Sequence, residues 1–177
     1  MQVRDATETD LPMILAIYNE IIANTTAVYS EEPVTLDDRK AWWRGRVEQR
    51  YPVLVALDSS GISGFATFGD FRAWPCYRHT VEHSVHVRAD CRGQGVGKLL
   101  MTELFPRAAG LGKHVMIAGI DAANSASIGM HESLGFERVA HFREVGHKFG
   151  RWLDLVFLQR WIDARGARSA APNGEPG

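Results

Sequence analysis

Apolar residues recur every three or four positions near the start of the chain. This spacing predicts an amphipathic helix, whose apolar positions are Leu11, Ile14, Leu15, Ile17, Tyr18, Ile21 and Ile22. The polar run 7–10 precedes it, as expected of capping residues. A second helix is predicted from Thr35, a capping residue type, to about residue 50, because Pro52 interrupts the pattern.

Alternation of apolar and polar residues is clearest over residues 81–88. Val81, Val85 and Val87 share one face with His83, and the other face is polar, which predicts a half-buried strand. Further helices are predicted over 95–109 and 125–134, and further strands over 2–6, 53–57, 62–68, 114–120, 136–145 and 152–161. The order β, α, α, β-hairpin, β, α, β, α, β, β predicts the α+β class, with about seven strands in one mixed sheet and about four helices.

Composition and charge narrow the classes of protein. The chain has 177 residues, 20 Lys and Arg against 21 Asp and Glu, and a formal net charge of −1. Its length favours one domain, predicted over residues 1–163, and residues 164–177 lack core-forming side chains and are predicted to be a disordered tail. The balanced charge gives no basic field, so neither nucleic acid nor an anionic membrane is expected as a partner.

The remaining compositional signals concern the compartment. The first ten residues carry charges, and no apolar run has the length of a signal peptide or a membrane span. Cys76 and Cys91 are the two cysteines, too few for a disulfide framework and without the spacing of a zinc site. A cytoplasmic location is therefore expected.

The most distinctive local motif, Arg-Gly-Gln-Gly-Val-Gly-Lys, spans residues 92–98 between a predicted strand and a predicted helix. Glycines let backbone N–H groups close on an anion, and the helix N-terminus adds a partial positive charge, so a phosphate or pyrophosphate is the natural ligand. A dinucleotide fingerprint needs glycine or alanine where Leu100 stands, and a Walker loop needs serine or threonine where Leu99 stands. A glycine-rich turn without a ligand is the alternative.

Two blocks in this order resemble a known superfamily. Residues 92–97 (Arg-x-x-Gly-x-Gly) resemble the acetyl-CoA pyrophosphate loop of the GNAT superfamily of N-acetyltransferases, and residues 124–136 resemble its motif in the helix beside the cofactor. More narrowly, residues 80–87 and 145–154 resemble the phosphinothricin and methionine sulfoximine N-acetyltransferases. The resemblance covers residues 2–162. It implies a single GNAT-like domain with a mostly antiparallel sheet that splays at the acetyl-CoA site.

The same resemblance implies acetyl-CoA as cosubstrate and no metal. The strand before the glycine loop is expected to pair with the pantetheine arm through backbone groups, and the loop is expected to hold the pyrophosphate. A side chain at the start of the following short helix is expected to hydrogen-bond the cofactor, and a serine in that helix could reach it. The implied cofactor residues are Val85, His86, Val87, Arg92, Gly93, Gln94, Gly95, Val96, Gly97, Lys98, Asn124 and Ser133.

Glu82 and His131 are the candidate catalytic residues. A carboxylate beside an incoming ammonium can bind it and accept its proton, directly or through water. An ordinary Glu, with a pKa of about 4.3, is a weak base at neutral pH, so the site must raise that pKa or relay the proton. Strand position alone would make Glu82 a surface residue, and the resemblance favours the catalytic interpretation. His131 stands where many members have a tyrosine that protonates the departing thiolate, with a structural helix histidine as the alternative.

Cations and aromatic rings are concentrated in the predicted loop 71–80. An arginine fork can bind a carboxylate through two hydrogen bonds, and loops on a rigid sheet commonly carry recognition. Lys148 either closes the same pocket or covers the sheet edge. The residues expected to bind the acceptor substrate are Arg72, Pro75, Cys76, Tyr77, Arg78, Thr80, Glu82 and Lys148.

Two further features concern metals and assembly. No metal site is expected from His79, His83 and His86, because the last two point to opposite faces of a strand and the first lies in a loop. The resemblance implies a homodimer with substrate pockets near the subunit interface. Trp42 and Trp43 are either interface or core residues.

The sequence and the resemblance together predict a specific activity. It is transfer of the acetyl group of acetyl-CoA to the α-amino group of a small amino-acid-like substrate, of the phosphinothricin, methionine sulfoximine or methionine sulfone type, in detoxification or resistance. One alternative is acetylation of protein N-termini or lysines. Another is a non-catalytic sensor that binds acyl-CoA.

Overall fold

The centre of the protein is a seven-stranded sheet, seen in a computed structural model that describes residues 1–163. The predicted tail, 164–177, lies outside the described residues. The strands are β1 (Gln2–Asp5), β2 (Val53–Asp58), β3 (Gly61–Asp70), β4 (Thr80–Val87), β5 (Val115–Asp121), β6 (Glu137–Lys148) and β7 (Arg151–Trp161). Their order across the sheet is β1-β2-β3-β4-β5-β7-β6. Only β4 and β5 pair in parallel, so the predicted mixed, mostly antiparallel sheet is confirmed.

Among the described residues, four α-helices flank the sheet, as predicted: α1 (Leu11–Asn24), α2 (Leu36–Glu48), α3 (Val96–Gly110) and α4 (Ser125–Ser133). Thr35 caps α2 by accepting a hydrogen bond from the Asp38 backbone N–H. The polar run before α1 forms a separate 3₁₀ turn, Glu8–Asp10. There the Asp10 carboxylate accepts from the Thr7 N–H at 2.7 Å and pairs with Arg4 at 2.6 Å.

The core has two parts, one for each group of helices. The larger cluster packs the apolar side of α3, including Leu100, Met101 and Leu104, against the middle of the sheet. The smaller cluster packs α1 against β2 and β3, and Trp42 and Trp43 lie partly buried against it. These contacts support the core interpretation of the two tryptophans. The sheet is therefore held between two helical layers, which fixes the positions of β4 and β5.

The parallel pair β4–β5 is short. The register joins Thr80 to Val115 and Glu82 to Ile117, and no pairing continues beyond that point. Both strands nevertheless run on, to Val87 and to Asp121. The strands therefore separate after Glu82 and leave a wedge-shaped opening within the sheet, so one edge of β4 has unpaired backbone groups.

The β6–β7 hairpin extends further than the pattern predicts, to Lys148 rather than residue 145. Its tip is a tight turn in which Phe149 and Gly150 have φ angles of 52° and 72°. A bulge also interrupts β6, where the Asp154 carboxylate accepts from the Glu144 N–H at 2.9 Å. Because alternation fails at a bulge, the sequence pattern alone ends the strand too early.

Candidate active site

A cleft of about 280 Å³ lies where β4 and β5 separate. Its walls come from both strands, from α4, from Tyr18 in the middle of α1 and from the loop that follows α1. The structure brings five of the predicted site residues to this cleft, namely Glu82, Val85, His86, Asn124 and His131. The opening is thus bordered by a carboxylate, imidazole rings and free strand edge, which is a suitable arrangement for positioning an amine against an extended cofactor.

Glu82 lies half-buried at the point of separation. Gly119 on β5 leaves room for its carboxylate, since a Cβ there would stand 3.0 Å from Oε1 of Glu82. Burial raises the pKa of Glu82, and the nearby positive charge of Arg72 opposes that shift. The structure therefore supplies the raised basicity that an amine-binding carboxylate needs at neutral pH.

His131 is paired with a histidine of β4. It is 1% exposed, and its Nε2 lies 3.0 Å from Nε2 of His83, with the two rings stacked at 4.9 Å. Nδ1 of His131 lies 2.7 Å from the Ser127 carbonyl oxygen. Because a carbonyl only accepts, this Nδ1 carries a proton, and in the neutral ring Nε2 must accept from His83.

The protonation states of His83 and His131 argue against His131 as the general acid. Burial lowers the pKa of His131, and burial followed by the charges of His131 and His86 lowers that of His83 well below its usual range. Both rings are therefore neutral at neutral pH, and His131 has no N–H left for a departing thiolate. His83 Nδ1 remains a buried acceptor without a hydrogen-bond partner in the part of the chain that the structure describes. His131 can act as an acid only after it gains a second proton.

The glycine loop has the backbone geometry of an anion site. Gly93 and Gly95 adopt φ angles of 75° and 82°, in the left-handed region that favours glycine, and α3 begins directly after them. A Cβ on Gly97 would stand 3.0 Å from Sδ of Met130, so glycine here permits α3 to approach α4. The N–H groups of the first helical turn have no partner within the helix and can face a phosphate.

Three other predicted cofactor residues form hydrogen bonds within the protein. The Arg92 guanidinium binds the Glu20 carboxylate at 2.7 Å and the Val87 carbonyl at 3.2 Å. Asn124 accepts from the Ser127 N–H at 3.0 Å through Oδ1, which caps α4 and leaves its Nδ2 available. The Ser133 hydroxyl donates to the Met130 carbonyl at 2.7 Å and lies outside the cleft lining.

The predicted acceptor loop stands at the N-terminal end of β4. Its exposed residues Pro75, Cys76 and Tyr77 form a 3₁₀ turn, and Arg78 donates to the Pro75 carbonyl at 3.3 Å. Thr80 begins β4 opposite Val115. Arg72 lies over the Phe71 ring at 4.2 Å, and its charge reaches Glu82. Within residues 1–163 no residue of this loop lines the cleft, and Arg72 is the loop residue whose charge reaches Glu82.

Lys148 does not fit the predicted substrate role. Its side chain is fully buried, and Nζ donates to the carbonyls of Ile22, Thr25 and Val28 at 2.7, 2.7 and 2.8 Å. All three ammonium protons are thereby used, so no charge is presented to the cleft. The residue joins the β6–β7 hairpin to the end of α1 and the loop after it.

Several residues of the site were missed by the sequence reasoning. They are Tyr18, His83, Gly119, Asp121 and Ser127, which line the cleft from four different elements.

Within residues 1–163, no group of three His, Cys, Asp or Glu side chains is placed to share a metal ion. The same range contains no helix that is long and apolar enough to cross a membrane.

A parallel strand pair that separates beside a glycine-rich helix N-terminus defines a class of acyl-CoA-dependent acyltransferases. Residues 14–136 match the Acetyltransferase (GNAT) family, and the chain belongs to this family. A methionine sulfoximine and methionine sulfone acetyltransferase of Pseudomonas paraeruginosa is 52% identical over 162 residues, covering 91% of this chain and 94% of that protein. A phosphinothricin N-acetyltransferase of Streptomyces coelicolor is 37% identical over 163 residues, covering 90% of this chain and 95% of that protein.

Solved structures agree with these sequence relatives. An acetyltransferase of Salmonella typhimurium, solved with its cofactor acetyl-CoA, superposes with a TM-score of 0.90 at 41% identity, covering 100% of this chain and 98% of that one. The protein is therefore an acetyl-CoA-dependent N-acetyltransferase with a single GNAT fold, and acetyl-CoA is its cosubstrate. The predicted family, fold class and enzyme class are confirmed.

Proposed function

We propose that this enzyme acetylates the α-amino group of a small amino acid whose side chain ends in a tetrahedral, oxygen-bearing group. Methionine sulfoximine, methionine sulfone and phosphinothricin are such compounds, and a detoxification or resistance role follows from their chemistry. The observation that carries the proposal is the half-buried Glu82 carboxylate at the separation of β4 and β5, within the field of Arg72. The names of the two sequence relatives support the acceptor class.

Cofactor binding is assigned to the free edge of β4 and the glycine loop. Backbone groups of residues 85–87 pair with the pantetheine arm, and residues 92–98 bind the pyrophosphate. Asn124 contributes its free Nδ2, and Ser133 contributes only if its hydroxyl leaves the Met130 carbonyl. The cofactor supplies the acetyl group, so the protein has to position the amine and manage the protons.

Glu82 first binds the acceptor ammonium and then takes its proton, directly or through one water. The neutral amine attacks the thioester carbonyl carbon and forms the C–N bond. The nitrogen then gives its second proton to solvent, the C–S bond breaks, and the coenzyme A thiolate leaves. A thiol with a pKa of about 8.5 is a good leaving group and needs little acid assistance near neutral pH. We therefore assign protonation of the thiolate to solvent rather than to His131, because Nδ1 of that ring donates to the Ser127 carbonyl and its Nε2 faces His83.

Recognition of the acceptor carboxylate is assigned to the arginines of the 71–80 loop. Arg72 and Arg78 carry permanent charges beside the N-terminal end of β4, and a guanidinium binds a carboxylate through two hydrogen bonds. Tyr77 and Thr80 add hydroxyl groups that can donate, and Pro75 and Cys76 belong to the 3₁₀ turn of this loop. An amine without an acid group would leave these cations unpaired and should react poorly.

The test compares three acceptors by kcat/KM: methionine sulfoximine, its decarboxylated amine and a lysine-containing peptide. The first should exceed the other two by about 100-fold or more, because a site built for a charged group discriminates strongly against its absence. Faster reaction with the peptide would favour protein acetylation. Acetyl-CoA binding without turnover on any amine would favour a sensor.

We further propose that the enzyme is a cytoplasmic homodimer. Two free cysteines support a reducing compartment. Exposed apolar side chains are concentrated on the β6–β7 hairpin, including Val139, Phe142, Val145 and Trp152. Such a patch is typical of a subunit interface. Sedimentation of the wild type and of a Phe142→Asp, Val145→Asp variant tests it, since the double substitution should produce monomers.

Replacing Gly95 with Glu should weaken acetyl-CoA binding by about 10- to 100-fold, because a side chain at its φ of 82° is strained and a carboxylate opposes the pyrophosphate. Calorimetry of the free enzyme measures this. Gly112→Glu is the matched control, since Gly112 also has a positive φ of 67° but lies beyond the other end of α3. Equal affinities in the two folded variants would contradict the pyrophosphate assignment.

A further inference from the structure

A second cavity, of about 290 Å³, adjoins the cleft on the side of the sheet covered by α1 and α2. The residues Tyr18, Ser84 and His86 line both spaces, so the cavity and the cleft are neighbours. Glu82, Ser84 and His86 lie on one face of β4, with about 13 Å between the Cα atoms of the first and the last. A molecule held by Glu82 can therefore extend along this face toward the second cavity.

Arg39 of α2 is the unusual residue of this cavity. It is 5% exposed, and its guanidinium carbon lies 4.0 Å above the ring of Tyr18 and 4.6 Å from the ring of Trp42. Its buried Nε has no hydrogen-bond partner within residues 1–163. Among the described residues it takes part in none of the ion pairs. Burying a cation without a counter-charge is unfavourable, so a positive group in such a place points to a missing acceptor.

The groups around Arg39 compensate its charge only in part. Burial lowers the pKa of Arg39, and the nearby Tyr18 and Asp38, which both line the cavity, raise it. Burial, followed by the charge of Arg39, lowers the pKa of His86 to about 4, so this ring is neutral at neutral pH. The Asp38 carboxylate accepts from the N–H and the hydroxyl of Thr35, at 2.8 and 2.6 Å, as part of the α2 cap. Tyr18 presents its ring face to the guanidinium. The cavity is therefore suited to oxygen atoms with negative or partial negative charge.

We propose that the Arg39 cavity binds the oxygen-bearing end of the acceptor side chain, while Glu82 holds its amine. The ligand class is a sulfone, sulfoximine or phosphinate, whose oxygens accept hydrogen bonds from a guanidinium. This assignment rests on the proposed function and makes Arg39 the residue that distinguishes these compounds from methionine. The aromatic rings of Tyr18 and Trp42 hold the guanidinium in place, so little ordering is required when the side chain arrives.

The test replaces Arg39 with Met, which retains length and apolar packing but removes the charge and the donors. For methionine sulfone, kcat/KM should fall by about 10- to 100-fold, mainly through KM, because hydrogen bonds to a charged group are lost. For methionine it should change by less than about threefold, because no partner for the guanidinium is present. Arg44→Met, on an exposed position of the same helix, is the matched control and should change neither value.

The alternative is that Arg39 only joins α1 to α2 by stacking. Arg39→Met would then lower the melting temperature and leave the sulfone-to-methionine ratio of kcat/KM unchanged, which would overturn the proposal. If that variant does not fold, Arg39→Lys, which keeps the charge without the planar fork, serves instead: a reduced ratio supports the proposal and an unchanged ratio overturns it.

A separate measurement isolates this inference from the proposed function. Should the wild type acetylate no amino acid, the proposed function fails. Calorimetry with methionine sulfone and with sulfate then tests whether the Arg39 cavity binds the sulfone group. Binding of the sulfone that is lost in the Arg39 variant supports the assignment, whereas equal loss of sulfate and sulfone binding indicates a general anion site and overturns it, as does no binding at all.

Discussion

Glu82→Gln should lower kcat by about 100- to 10,000-fold and leave the Kd for acetyl-CoA unchanged. A positioned general base typically contributes this much, and Gln has the same shape but cannot accept the proton. The cofactor is assigned to residues 85–87 and 92–98, none of which depends on the carboxylate. Initial-rate assays at saturating concentrations of both substrates give kcat, and calorimetry gives the Kd for acetyl-CoA.

The pH profile gives an independent signature of the same residue. Activity requires the Glu82 carboxylate, so kcat/KM falls as the pH drops through its pKa, and burial places that fall at a higher pH than for an ordinary Glu. The fall should disappear in Glu82→Gln. In Arg72→Gln it should move to still higher pH, because the cation that opposes the shift is gone.

Glu103→Gln, an exposed change on α3, is the control and should match the wild type in rate and profile. A Glu82→Gln enzyme with near wild-type kcat would show that the carboxylate is neither base nor amine anchor. An acidic limb that persists in that variant would assign it to another group.

Local patterns predicted most of the fold because the responsible forces act over a few residues. Alternation over residues 81–88 arises because Val81, Val85 and Val87 face the larger core cluster, although the other face of β4 is also covered and buries His86. The three- and four-residue spacing in α1 depends on one packed helix side. The hairpin tip and the β6 bulge were not predicted. There the Asp154 carboxylate and a positive φ at Glu144, 52°, replace the regular ladder.

The site residues also differ in whether a local sequence pattern can indicate them. The glycine loop is a continuous stretch whose backbone needs are visible in residue types, so residues 92–98 could be proposed as a pyrophosphate site from sequence, and that assignment stays a prediction. The His83–His131 pair joins positions 48 residues apart, and the pattern of β4 shows His83 only as another inward side chain. From sequence, Lys148 was expected either to close the substrate pocket with its charge or to cover the sheet edge. The structure shows that its partners are backbone carbonyls, which have no signature in the side-chain sequence.

Those carbonyls make Lys148→Met the substitution with the largest expected effect on stability. Lys148 links the β6–β7 hairpin to residues that precede it by 120 to 126 positions. Met fills a similar volume but donates no hydrogen bond, so three carbonyls lose their charged donor at once. Breaking such a buried arrangement from one side should lower the free energy of unfolding by about 2–4 kcal/mol, and the melting temperature by roughly 5–15 °C.

Thermal and denaturant unfolding measure this loss, with Lys40→Met on α2 as the matched control, expected within about 0.5 kcal/mol of the wild type. The effect should also reach the cleft, because Val28 both accepts from Lys148 and lines the space beside Glu82. Below its melting temperature, Lys148→Met should therefore raise KM for the acceptor more than KM for acetyl-CoA. A variant as stable as the wild type, with impaired acceptor binding alone, would contradict the structural role and return Lys148 to the substrate pocket.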